Sequence, residues 1–443
     1  MTNKPFVSVV IPTRNRSHLL RHTVNSLKIQ TFKDFEVIIC DNSDSEGEDA
    51  AENKQLIENL ADSRFHYIRP EKYLNMPDNW EFAYQTAKGE YIAYLPDRSV
   101  LYPSTLRHLH TAASTNAFDI INWGEDIYIP IDEYGKSCKG YIQESGIMPE
   151  KAKRYNPRQQ LQRCYRINLG EYAERRCFFR GKICFGAYSK ELINKIKSHA
   201  GRVFWPLSCD YTSRFLALYF AETAIDLGIR LSMQIDTDLS NGKRCGLDPN
   251  YNLKIIKELD PSFSLQHAPL QGLYYSGFNT FYTDYLNMKN RFFPAADDVV
   301  LNLKAIILIA QEELKSREGE IPEDQQNILK NYLSKITYLD KFWWSIRKKI
   351  KSYEFSVLLK KLSFTDFVIK ILRNLLKISK LSKYNFYFNV WLENKHREYT
   401  SYRKYSLSLI SRRYFDSIEE AIYAADSQNN ELNYVNIKKV EVK

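Results

Sequence analysis

A chain of 443 residues with 44% hydrophobic and 26% charged residues is long enough for two or three domains and too apolar for wholesale disorder. Seven cysteines, at 40, 138, 164, 177, 184, 209 and 245, never form a Cys-x-x-Cys pair, which speaks against a zinc ribbon and a disulfide scaffold and fits a reducing cytosol. The formal charge of +10 is unevenly spread: residues 340–413 hold 18 Lys+Arg against 5 Asp+Glu, net +13, so any case for a nucleic-acid or membrane partner belongs to that segment and not to the rest.

No apolar leader precedes the first strand, and no run approaches the roughly 18 apolar residues of a membrane-spanning helix. The expectation is a soluble, cytoplasmic chain. Residues 6–122 alternate strand and helix. Phe6–Ile11 reads as strand one, Ser17 as the N-cap of a helix carrying Leu19, Leu20, Val24 and Leu27, and Phe35–Cys40 as strand two. A polar turn, Asp41–Gly47, leads to an acidic helix near 48–61 and to strand three, Phe65–Arg69. Asp78 is positioned to cap a helix over 79–87 that ends at Gly89, Tyr91–Leu95 is strand four, Pro103 opens a further helix, and Phe118–Asn122 is strand five. The alternation predicts a parallel sheet with right-handed crossovers. In such sheets ligands sit beyond the carboxyl ends of the strands, where Thr13, Arg16, Asp41 and Asp97 all arrive.

From 124 to 265 the pattern is less regular. Residues 125–150 read as a long loop or hairpin, Cys177–Ser189 as strands broken at Gly181 and Gly186, Ser208–Phe220 as a helix and 224–235 as a strand. Helices are expected at 297–315 and 322–338, after an aromatic-rich stretch over 273–293. The domain expectation is 1–265 as one unit (a nucleotide-binding half to about 122, an acceptor half from 123), 266–339 as a helical extension, and 340–443 as a basic, aromatic-rich helical region.

Val7-Ser-Val-Val-Ile-Pro-Thr-Arg-Asn-Arg16, Ser26-Leu-x-x-Gln30-Thr31, Asp41-Asn-Ser43 and Gly89-Glu-Tyr-Ile-Ala-Tyr-Leu95 together resemble the inverting GT-A glycosyltransferases of family 2. The resemblance is dense over 6–106 and sparser to about 246. It implies a GT-A, Rossmann-like α/β fold, a mixed but mainly parallel sheet flanked by helices, to which this chain adds a mainly helical basic C-terminal region. It also implies transfer of a sugar from a nucleotide-sugar, UDP- or dTDP-linked, to a glycan or lipid-linked acceptor with inversion, in the setting of bacterial surface polysaccharide assembly. Pro12, Thr13 and Arg16 would turn the chain beside the nucleotide, and Asp41 would accept from a pyrimidine N–H or simply cap its loop. Asn75 and Asn79 would lie near the nucleotide or serve the helix start around Asp78.

At strand four the family normally carries an Asp-x-Asp signature for a divalent ion, whereas this chain reads Leu95-Pro-Asp97-Arg98-Ser99. Two expectations stand side by side: Asp97 holds Mg²⁺ or Mn²⁺, or Arg98, with Lys243 or Arg244, neutralises the leaving diphosphate without metal. A third is that donor binding has decayed and the domain binds nucleotide or glycan, or scaffolds partners, without catalysis. The base that inversion needs matches Asp210, at the head of an apolar helix, with Glu125 and Asp126 in reserve. Ser240-Asn-Gly-Lys-Arg-Cys-Gly246 is expected to be a polar loop closing over the donor.

In the basic segment, Lys370, Arg373, Lys377 and Lys380 form one stripe of an amphipathic pattern over 363–381, preceded by Trp343, Trp344 and Arg347–Lys351. This is the pattern of a helix docking on anionic lipid, or of one packed on its own domain. No recognised nucleic-acid-binding motif accompanies the charge. No feature of the sequence specifies an oligomeric state.

Overall fold

Seven consecutive buried residues, Val7–Thr13, form the central strand β1, apolar on both faces because helices cover both. It pairs in parallel with β2 (Phe35–Asp41) on one side and β4 (Tyr91–Tyr94) on the other, and β2 continues in parallel to β3 (Phe65–Ile68). Helix α1 (Ser17–Lys28) and helix α2 (Glu48–Glu58) make the crossovers between these strands, and α3 (Met76–Ala83) precedes β4. The computed structural model describes residues 4–131, 138–143, 151–166, 179–238, 240–259, 268–315, 321–351 and 414–431.

After β4 the chain forms a short strand, β5 (Ser99–Leu101), then α4 (Thr105–Thr115) and the long β6 (Ile120–Pro130). β7 (Gly140–Gln143) folds back antiparallel on β6, and β8 (Lys153–Arg154) and α5 (Pro157–Arg166) follow. A 3-10 turn, Ile183–Phe185, leads into β9 (Gly186–Ser189), which lies antiparallel between β4 and β6. Then come α6 (Lys190–Ala200), α7 (Cys209–Phe220) and β10 (Ala224–Ile235), the last parallel to β6 and antiparallel to β5 and β8. With a last strand β11 (Tyr414–Phe415) at one edge, the path across the sheet is β11-β7-β6-β9-β4-β1-β2-β3. The sheet is therefore mixed, parallel across β4-β1-β2-β3, and the antiparallel β9 departs from the wholly parallel alternation expected.

Beyond the sheet come α8 (Asn241–Leu247), α9 (Pro249–Leu259), α10 (Gly277–Phe292), α11 (Leu303–Lys315), α12 (Glu323–Leu333) and α13 (Tyr338–Lys351). The chain divides into two compact units, Met1–Ile336 with Tyr414–Lys443, and Thr337–Arg413. The sequence reading kept 340–443 together. In the structure β11 (Tyr414–Phe415) and α14 (Ile418–Glu431) belong to the first unit instead, because Phe415, Ile418, Ala421, Ile422 and Ala425 share a core with Leu19, Val100, Tyr128, Met233 and Ile235. The stripe of Lys370, Arg373, Lys377 and Lys380 lies outside the described residues.

Two local expectations change. The cap of α3 is Asn75, whose side chain accepts from the Asp78 N–H, so the helix begins at Met76. Residues 241–247 are a helical turn rather than a loop, started by the Ser240 carbonyl accepting from the Arg244 N–H. Gly89 serves packing: a Cβ there would lie 2.4 Å from the Ser8 nitrogen, and its own N–H donates to Ser8 Oγ at 2.8 Å.

Candidate active site

Because β1, β2 and β4 run parallel, their carboxyl ends open on one edge, and Thr13 sits opposite Asp41 in the register. Pro12 is buried within β1, past the last residue paired to β4, where its missing N–H breaks no ladder. Asp97 follows β4 and is buried there. Thr13 Oγ1 donates to Asp97 Oδ2 at 2.9 Å, Arg16 Nη1 donates to Oδ1 at 3.2 Å, and Thr23 Oγ1 donates to the Asp97 carbonyl at 3.0 Å. Three of the predicted residues thus meet in one cluster, with His18 near enough for Asp97 to act on its charge.

Asp41 reaches the same edge but is fully enclosed. Its carboxylate accepts from the Ser43 N–H (2.8 Å), Asn53 Nδ2 (3.1 Å) and Tyr67 OH (2.9 Å), with Arg69 3.7 Å away. Burial and this carboxylate push the Tyr67 hydroxyl up to about 12, so it stays a donor. Base recognition expected of Asp41 has no solvent-reachable atom there to act through; the residue organises the loop after β2. Asn79 is likewise buried, accepting from Cys40 Sγ at 3.2 Å, while Asn75 is occupied as the helix cap. These two asparagines build the wall rather than face the opening.

The loops that do face it are laced together. Asn15 and Arg14 bond Asp44, Asn42 clamps the backbone of Leu74, and Arg14 lies 4.3 Å over the Tyr73 ring. The Tyr73 hydroxyl donates to Glu258 on α9, so α9 lies across this edge. Arg98 is turned away from open solvent: it donates to the Ile235 carbonyl at 3.2 Å and to Ser240 Oγ at 3.3 Å, tying the end of β10 to the start of α8. Burial lowers its pKa, against the raising influence of Glu125 and Asp97. Arg244 lies 4.0 Å over the Tyr251 ring, and Arg16 also acts on that tyrosine. Lys243 lies in the same turn of helix.

Asp210 stands in the first turn of α7, its side chain 32% exposed, with Lys182 Nζ 3.3 Å from Oδ2. Lys182 is buried, lies 3.6 Å over the Tyr211 ring, and is drawn down to about 8 by burial, with Asp210 pulling the other way. On β6, burial raises Glu125 to about 8 against the lowering effects of Arg98, Ser99 and Lys182. Glu125, acted on by both Arg98 and Lys182, thus lies between the Asp97–Arg98 corner and the Lys182–Asp210 pair. Asp126 points elsewhere, bonded to Tyr102 OH (2.8 Å) and Arg230 (2.9 Å). Asp284 of α10 accepts the Leu207 and Ser208 N–H groups at 2.7 and 2.9 Å, holding the start of α7, and burial raises it to about 7.

Neither Lys182 nor Asp284 was singled out from the sequence. A lone lysine between Gly181 and the apolar Ile183-Cys-Phe185 is the signal for the first; Asp284 sits in an aromatic-rich helix with nothing local to mark it.

Among the described residues no group of three or more His, Cys, Asp or Glu side chains is arranged to hold a metal ion. The protein-side donor set for Mg²⁺ or Mn²⁺ is the Asp97 carboxylate, and both its oxygens already hold Thr13 and Arg16. Ions of this kind take several hard oxygen ligands, so the residues present do not fit a resident divalent ion.

A mixed, mainly parallel α/β sheet that gathers Thr13, Arg16 and Asp97 at its strand ends defines a GT-A-type, Rossmann-like domain. Residues 8–167 match the family model described as Glycosyl transferase family 2. One relative, from Campylobacter jejuni, is the GalNAc(5)-diNAcBac-PP-undecaprenol beta-1,3-glucosyltransferase, 32% identical over 113 residues, 25% of this chain and 35% of the relative. Another, from Rickettsia felis, is an uncharacterized glycosyltransferase, 26% identical over 151 residues, 33% of this chain and 23% of the relative. The chain thus spans about a third or less of the length of these relatives. Among solved structures, S. aureus TarS 1–349 in complex with UDP is similar with a TM-score of 0.44 at 14% identity, covering 75% of this chain and 93% of that one.

Proposed function

We propose that the chain is an inverting glycosyltransferase of the hexosyltransferase type. It takes a UDP- or dTDP-sugar and transfers the sugar to a glycan or lipid-linked acceptor in bacterial surface polysaccharide synthesis. The observation that carries this reading is that the Thr13–Arg16–Asp97 cluster and the one-third-exposed Asp210 are bridged by Glu125, on which both Arg98 and Lys182 act. The undecaprenol-linked substrate named for the Campylobacter relative supports the choice of acceptor class.

In the reaction the acceptor hydroxyl approaches Asp210 from its open side. Its proton passes to the Asp210 carboxylate as its oxygen attacks the anomeric carbon, and the bond from that carbon to the diphosphate oxygen breaks on the opposite face. Charge then builds on the diphosphate. The guanidinium of Arg16, at the lip of β1, together with the exposed Arg244 of α8, supplies the compensating cations, Arg98 being held inward by Ile235 and Ser240. With Asp41 enclosed, the surface left for the base is that of the loops it holds, 42–46 and 70–75.

A second reading is favoured by one observation, the closure of Asp97 onto Arg16: a degenerate domain that binds nucleotide or glycan, or scaffolds partners, without turnover. Transfer and hydrolysis assayed over a panel of UDP-, dTDP- and GDP-sugars separate the two. The enzyme reading expects turnover with a pyrimidine-nucleotide sugar, persisting in excess EDTA. Asp210→Asn should lower kcat by about two to four decades, the usual worth of a positioned base, while nucleotide affinity stays within twofold. Silence across the panel with nucleotide still binding moves the chain to the scaffold reading.

A further inference from the structure

Asp210 does not face the crevice alone. The turn Phe179–Gly181 brings Lys182 beneath it: the Lys182 N–H donates to the Phe179 carbonyl, and Gly181 adopts a φ of +83° against Leu218. Asn122 of β6 locks this turn from the sheet side. Its Nδ2 donates to the Lys182 and Phe185 carbonyls, both at 3.0 Å, and its Oδ1 accepts the Gly181 N–H at 2.8 Å. The lysine stem is thereby fixed at both ends, by backbone bonds below and by the Tyr211 ring and the Asp210 carboxylate above. The Lys182 side chain is 2% exposed and its partner 32%, so the ammonium meets Asp210 from the protein side and leaves the other side of the carboxylate to an incoming hydroxyl.

We propose that Lys182 is a positioning residue for the Asp210 base, an internal counter-ion that fixes the carboxylate's orientation. This rests on the reading of Asp210 as the base.

The charged and titratable groups around the pair come from four elements. Glu125 on β6 acts on Lys182, and Asp284 on α10 feels Asp210. Cys184 in the 3-10 turn, and Cys209 and Tyr211 on α7, are all pushed up by burial and by Asp210. Arg214, one turn further along α7, repels Lys182. Asp210 thus stands near two buried acids, Glu125 and Asp284, both raised by burial, and its direct cation is Lys182. Without the ammonium, the Asp210 carboxylate would lose the opposite charge that holds it from the protein side and favours its charged form. An ion pair of this kind is poor evidence for stability, since burying a lysine is costly, but it suits a site that must hold one protonation state.

The test uses the full chain and two variants, Lys182→Met and Lys182→Arg. The Asp210 carboxyl is followed by its ¹³Cγ resonance, identified by its loss in Asp210→Asn, and kcat/KM is measured across pH in parallel. Lys182→Met is expected to raise the Asp210 midpoint by about one unit or more, to carry the acid limb of kcat/KM with it, and to lower kcat/KM at neutral pH by about a hundredfold. Lys182→Arg, whose charge does not titrate, should restore the acid limb and remove an alkaline limb near pH 8, where Lys182 gives up its proton. An unmoved Asp210 midpoint in folded Lys182→Met overturns the proposal. Should that variant not fold, a wild-type alkaline limb unchanged in Lys182→Arg overturns it equally. A carboxyl midpoint that moves while the acid limb stays put overturns Asp210 as the base and leaves the pairing standing.

Discussion

Two buried carboxylates have consequences for pH that need no assay of turnover. Glu125 rises from 4.5 to about 8 and Asp284 from 3.8 to about 7, both through burial. A carboxyl whose folded pKa is raised binds its proton more tightly when folded. Its contribution to stability is then fully present below the unfolded value and is lost as pH climbs through the folded one. Lys182, lowered to about 8 from 10.5, acts in the opposite sense and only above about pH 8. His18 and His108, both lowered by burial, oppose this trend below about pH 6.5, so the unfolding midpoint is expected to fall between about pH 6.5 and about pH 8. Glu125→Gln, which keeps the shape and removes the titration, should flatten that slope; a wild-type midpoint that rises across the window contradicts the burial argument. At this scale the sequence was a partial guide. Thr13, Arg16 and Asp97 were legible because each stops a β-branched run and parallel strands carry them to one edge. The enclosure of Asp41 was not legible, since Asn53, Tyr67 and Arg69 close on it from a helix and strand further along the chain.

Helix α14 is an element that periodicity marks and location hides. Ile418, Ala421, Ile422 and Ala425 recur at helical spacing and are all buried, against Leu19 of α1, Val100 of β5 and Met233 of β10. Polar contacts pin the same face: Asp426 accepts from the backbone and side chain of Ser104, and Glu419 meets His22 Nδ1 at 3.3 Å. β11 adds a pair of residues to the sheet edge at β7. Ile422→Ala removes a fully packed side chain from this core and should cost about 2–5 kcal/mol in chemical denaturation. A loss below about 1 kcal/mol would mean the helix is only draped on the domain, as surface substitutions usually behave. Strands β1 to β4 and helix α7 could be read locally because their apolar runs and caps agree with their packing. β5, three residues long, and β9, preceded by a 3-10 turn, have no period to read; they exist because neighbouring strands offer them ladders.

The molecule as a whole separates its charge. The first unit is closed by its own helix α14, while the second, Thr337–Arg413, contains the whole of the segment with net charge +13. Its described helix, α13, starts with Tyr338 at 82% and Leu339 at 64% exposure, followed by a half-exposed Phe342, and its sequence ends in Arg347-Lys-Lys-Ile-Lys351. No described helix is long and apolar enough to cross a membrane. Exposed apolar residues beside a cationic run suit a surface that offers both acyl chains and anionic headgroups, and a lipid-linked acceptor would be found at such a surface. The full chain is expected to sediment with phosphatidylglycerol-rich vesicles and not with purely zwitterionic ones. High salt should release most of it, because the screening length contracts from about 10 Å at 0.1 M to about 3 Å at 1 M. Replacing Arg347, Lys348, Lys349 and Lys351 by glutamine removes about 1 kcal/mol each, together close to a thousandfold in partitioning, whereas serine at Tyr338 and Leu339 should weaken the salt-resistant remainder. Equal binding to both kinds of vesicle, or none at low salt, would leave the basic unit as a solvated surface and move acceptor delivery to some other part of the chain.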